Sequence, residues 1–88
     1  MTKQVLLGQL DALRGVVDKL PEGAEIKHAG VGDEAHSGGI VTHISLAHGI
    51  GAAASAFGDP KVRKIDCKTF KSLRFYAGDV MVVQYEDK

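Results

Sequence analysis

The sequence predicts a small α+β domain: one N-terminal amphipathic helix packed on a mainly antiparallel sheet of about four to five strands. Three observations predict it. Residues 3–20 repeat apolar side chains at alternating steps of four and three. Residues 40–47 and 80–85 are β-branched and apolar at strand length. The segments between them are rich in glycine, proline and aspartate. A chain of 88 residues is one domain, here 1–88.

The helix comes first. Leu6, Leu10, Leu13, Val17 and Leu20 form one stripe, the seam expected to lie on the sheet. Thr2 is placed to cap its start, and Pro21 with Gly23 ends it. Gly8 and Gly15 share another side, each costing about 1 kcal/mol relative to alanine. Such a cost suggests either a close backbone approach or simple tolerance.

Residues 24–29 alternate and read as a short strand with Ala24, Ile26 and His28 on one side. Residues 30–39 hold four glycines and read as a mobile tip. Residues 40–47 form the second strand of the antiparallel hairpin, with Ile40, Thr42, Ile44 and Leu46 on one side. A second short helix near 51–57, or a small-residue loop, follows. The segment 61–69 leans towards a strand, because Arg63, Ile65 and Cys67 alternate, against a helix in which Asp59-Pro60 opens the first turn and Val62 and Ile65 stand three apart. Ala77-Gly78-Asp79 then turns the chain between two more strands. Val80 to Val83 are apolar without alternation, which predicts a strand covered on both sides, either central in the sheet or covered by a partner subunit.

Composition narrows the function. A domain of this length buries only roughly 60–65% of its unfolded surface, so its stability is about 5 kcal/mol or less. Little interior remains for a deep pocket. Cys67 is the only cysteine, which rules out an internal disulfide and argues against a thiolate metal site. The start of the chain lacks an apolar core followed by a small-residue cleavage site, and no apolar run reaches the ~20 residues of a membrane span. A cytoplasmic location without membrane contact is expected.

Net charge is zero but unevenly placed. Residues 1–59 carry four basic and seven acidic side chains, residues 60–76 six and one, residues 77–88 one and three. The basic run Lys61, Arg63, Lys64, Lys68, Lys71 and Arg74 is interleaved with Phe70, Phe75 and Tyr76. Basic residues meet phosphates and aromatic rings stack bases. No helix-turn-helix, zinc finger or paired RNA-reading strand motif accompanies them.

The stretch His48-Gly49-Ile50-Gly51-Ala52-Ala53-Ala54 matches G-x-G-x-x-A, a relaxed dinucleotide fingerprint. Its context fails: Gly58-Asp59-Pro60 stops a helix after about two turns, and no acidic residue stands about 20 positions on. A smaller anion site at His48, Gly49 and Gly51 survives, beside the simpler reading that the small residues pack and Phe57 anchors them.

No catalytic residues are assigned. Cys67 lacks a neighbouring histidine, and Asp33 and Glu34 lie on the tip, a poor base for acid–base work. No cofactor and no metal are expected. Among the histidines, only a cross-strand pairing of His28 with His43 would bring two together, in a register the sequence cannot supply. A half-buried histidine would make stability fall in mild acid.

The expected function is non-catalytic binding, chiefly of another protein, by an inhibitor or adaptor that forms a homodimer. Its contact features are the tip with Asp33, Glu34 and His36, and the basic segment. The alternative is a nucleic acid or small anion held by residues 61–74 and the turn 48–51.

Overall fold

The computed structural model describes residues 1–33 and 39–87. Glu34 and His36 of the expected contact loop lie outside the described residues. The elements run α1 (Lys3–Lys19), β1 (Ile26–Asp33), β2 (Ile40–Leu46), α2 (Ile50–Ala56), β3 (Arg63–Asp66), β4 (Phe70–Ala77) and β5 (Val80–Asp87). The strands form one sheet in the order β1-β2-β5-β4-β3. All neighbours are antiparallel except β2 and β5, which are parallel.

β5 stands at the centre, one of the two placements that its unbroken apolar run allows. Val80, Val82 and Val83 are all buried. The register settles which side chains share a face. Thr42, Ile44 and Leu46 of β2 align with Val80, Val82 and Gln84 of β5, and these with Ala77, Phe75 and Leu73 of β4. Both helices pack on this side, where Val16 of α1 and Ile50, Ala53 and Ala54 of α2 complete the core. Phe57 does anchor the end of α2, its ring centroid 5.9 Å from that of Phe75.

Thr2 caps α1, its Oγ1 accepting from the Val5 N–H at 3.2 Å. The helix is rolled away from the orientation its stripe implies. Gln9, Leu13, Val16 and Leu20 turn inward, with Thr42 Oγ1 donating to Gln9 Oε1 at 2.7 Å. Leu6, Leu10 and Val17, expected on the sheet, remain exposed. The buried Thr42 hydroxyl needs a polar partner, and Gln9 on the inward side of the helix provides one. A methyl group added at Gly8 or Gly15 would meet nothing within 4 Å among the described residues, so neither glycine serves a close approach to them.

Two expectations for the hairpin are corrected. Gly30, Val31, Gly32 and Asp33 belong to β1 and pair with His43, Thr42, Val41 and Ile40; the expected tip starts four residues too early. Their partners on β2 satisfy the backbone groups that glycine content alone suggested were loose. Ile26 and His28 do not share a side either. A register shift between them pairs Ile26 with Leu46 and His28 with Ser45, inserting Lys27 as an extra residue.

Candidate functional site

The second face of the sheet carries no described helix. Alternation places on it Phe70, Ser72, Arg74 and Tyr76 of β4, and Met81, Val83 and Tyr85 of β5. Arg63 and Ile65 of β3, His43 and Ser45 of β2, and His28 of β1 join them. Tyr76 is 55% exposed and Tyr85 49%, whereas Val83 and Ser72 are buried beneath their neighbours. Phe70 and Tyr85 meet edge to face at 5.6 Å. The surface is thus a layer of aromatic and arginine side chains over a small apolar floor.

Arg74 lies across the middle. Its Nη2 donates to Ser72 Oγ at 2.9 Å and its Nη1 to Met81 Sδ at 3.4 Å. Its Nε is buried without a partner among the described residues. Arg63 stands directly opposite in register. Two guanidiniums facing across neighbouring strands repel, and no ion pair among the described residues joins either to a carboxylate.

At the β1 end of this face the two histidines meet. His28 Nδ1 lies 2.9 Å from His43 Nε2, with the rings within 15° of parallel and centroids 5.0 Å apart. Gly30 and Gly32 present no side chains beside them, which leaves a shallow hollow of about 400 Å³ bordered by His28, Val41 and His43. One nitrogen of the pair must donate and the other accept, so a single proton bridges them. Protonating both rings sets two N–H donors against each other. Among the described residues no cluster of three or more metal-ligating side chains includes them.

Burial, and then the charge of His28, lower the pKa of His43 below its ordinary 6.5. In the unfolded chain His43 binds its proton at the ordinary value, so over the window just below 6.5 the unfolded state holds more protons. Stability therefore falls as the pH drops from neutrality through that window, and levels off below the folded pKa. A lower melting temperature at pH 5 than at pH 7.5 is expected, and His43→Gln should flatten the difference. Equal pH dependence in wild type and His43→Gln would contradict the pairing.

The basic segment is not one patch. Arg63 and Arg74 reach the uncovered face, while Lys64 and Lys71 point to the helix side. Lys71 forms an ion pair with Glu86 at 3.3 Å. Lys61 and Lys68 lie in the connections flanking β3, both exposed. The turn at 48–51 is also engaged. Gly49 takes a left-handed conformation (φ 80°) before α2, and the first helical N–H, from Ile50, donates to Gln84 Oε1 at 3.1 Å. His48 faces Glu25 at 3.5 Å, and Gly51 is exposed. Asp33 lies 3.7 Å from the N-terminal ammonium of Met1, on the helix side. Of the six basic residues, the structure thus brings Arg63 and Arg74 onto the uncovered face and Lys64 and Lys71 onto the helix side.

Sequence reasoning missed the grouping of Tyr76, Tyr85, Phe70 and Met81 around Arg74. The signal was present in the alternation Phe70, Ser72, Arg74, Tyr76, which separates these residues from Leu73, Phe75 and Ala77. Comparison with protein-family models, with curated proteins and with solved structures finds no match to this chain. No helix among the described residues is long and apolar enough to cross a membrane.

Proposed function

We propose that this chain is a small non-catalytic binding protein of the inhibitor or adaptor type, acting in the cytoplasm, that docks an acidic, partly apolar surface of another protein against the uncovered face of its sheet. The observation that carries this reading is the opposed pair Arg63 and Arg74, set among exposed aromatic rings with no carboxylate joined to them among the described residues. Tyrosine and arginine are the residue types that dominate binding energy in protein interfaces. The like-charge repulsion held in the free chain is relieved when a partner's carboxylates sit between the two guanidiniums. The lone thiol of Cys67 suits a reducing compartment.

A photo-crosslinking side chain at position 76 or 85, in extract of the cells that make the protein, tests the docking. One recurring protein adduct is expected from these positions and none from Lys19 on the opposite side. The adduct should vanish in Arg74→Ala and in Arg63→Ser, while Arg63→Ser leaves the free protein as stable as before or slightly more so. Adducts that are equal from both sides, or unaffected by loss of the arginines, contradict the reading.

The aromatic trio Phe70, Tyr76 and Tyr85 favours a second reading, stacking of single-stranded nucleic acid. Two guanidiniums would give a log–log salt slope of only about −1.4 for a single strand. A nucleic-acid adduct from position 76 with that slope would select this reading over the first.

A further inference from the structure

We propose that α1 is the seam of a homodimer, in which two copies of the helix pair antiparallel along the flank that the sheet leaves bare. The heptad-like stripe Leu6, Leu10, Leu13, Val17 and Leu20 is longer than the contact the monomer gives it. Gln9, Leu13, Val16 and Leu20 are the inward positions. At about 100° per residue, Leu6, Leu10 and Val17 lie roughly 70° round the helix from that line. Leu6 is 36% exposed, Leu10 45%, Val17 38% and the adjoining Leu7 49%. Four large apolar side chains on one flank of a single helix form a surface that calls for a partner.

Charge decides which partner. The uncovered sheet face presents Arg63 and Arg74 to any visitor, so a second copy laid on it would set arginine against arginine. The flank of α1 carries both signs: Lys3 and Arg14 stand between Leu10 and Leu7 round the helix, and Asp11 and Asp18 lie just beyond Leu7. In an antiparallel pair centred between Leu10 and Asp11, Lys3 of one copy faces Asp18 of the second. Arg14 lies beside Leu7 and Asp11 of the second copy, and Leu6 packs between its Leu13 and Val17. A parallel pair would instead place Lys3 opposite Lys3. The surface is thus self-complementary under a two-fold axis, which is what an isologous dimer requires. Because the dimer uses the helix side, the aromatic sheet face of each copy stays open, and the two surfaces fail or succeed independently.

Light scattering after size exclusion, over a range of concentrations, reads the outcome. A species of twice the 9.3 kDa chain mass is expected, dissociating on dilution through the micromolar range. Leu10→Glu should weaken the dimer by about tenfold or more while leaving the circular dichroism spectrum and the position-76 crosslink intact. Leu7→Glu, at the most exposed apolar position of the flank, is the second variant should Leu10→Glu impair folding. Lys3→Glu and Asp18→Lys should each weaken association roughly two- to fivefold, and the double variant should restore it. The two residues are fifteen positions apart on one helix, about 22 Å, so rescue reports contact between copies. A monomer at every concentration, a folded Leu7→Glu or Leu10→Glu chain that dimerises as tightly as wild type, or failure of the double variant to recover overturns the proposal.

Discussion

Phe75→Ala is expected to leave the chain largely unfolded at 25 °C. Phe75 is 1% exposed and lies on β4 opposite Val82, with Phe57 against its ring. It is the largest of the fully buried side chains and the one that ties α2, through Phe57, to the sheet. Truncating a buried phenylalanine to alanine costs about 3–5 kcal/mol. The whole domain has about 5 kcal/mol to lose, so the loss takes most of it. Helices α1 and α2 cover only part of the sheet, and little other core exists to absorb the cavity. Urea titration followed by circular dichroism checks it. Phe75→Leu, which keeps most of the volume, should retain a cooperative transition. A Phe75→Ala midpoint within a few tenths molar of wild type would show that the core is not organised around this ring.

Gln84→Ala should have the second largest effect, and a more local one. Gln84 belongs to the central strand but points to the helix side, where its Oε1 accepts from the Ile50 N–H. Gly49, in the preceding position, offers no side chain to cap α2. Without Gln84 that donor, on a buried residue, is left without an acceptor, at a cost of about 1–3 kcal/mol. Hydrogen exchange should show the amides of α2 opening first, while those between β4 and β5 stay protected. Gln84→Met should lose the protection; Gln84→Glu keeps the acceptor but replaces the Nε2–H donated to Glu86 Oε1 at 3.1 Å with a second carboxylate, so it should retain the protection only in part. Uniform acceleration across the sheet would mean that α2 and β5 unfold as one unit and that the cap has no separate role.

The same glutamine bears on the expected anion site at His48, Gly49 and Gly51. The motif was legible as glycines after a strand, but a side chain 34 residues further along the chain supplies the acceptor for its first N–H. Local spacing identifies a helix start without saying what faces it. The basic run teaches the same lesson. Six cations between residues 61 and 74 look like one patch in one dimension. Strand alternation sends Arg63 and Arg74 to one side and Lys64 and Lys71 to the other, because successive side chains of a strand point oppositely.

Periodicity and turn chemistry, both local, determined the elements. The step of four and three gave α1. Thr2 gave its start and Pro21 its end. Alternation gave β2, the small-residue run ending at Phe57 gave α2, and the unbroken apolar stretch gave β5 as a strand covered on both sides. The tertiary structure alone decided what required two distant segments to meet. β5 inserts between β2 and β4, parallel to the first and antiparallel to the second. One extra residue at Lys27 turns His28 to the side of His43. α1 sits rolled off its own apolar stripe, with Gln9 accepting from the buried Thr42 hydroxyl. Each is a choice of register or rotation between surfaces that pack comparably well, and in each the outcome rests on a few hydrogen bonds between segments far apart in the chain.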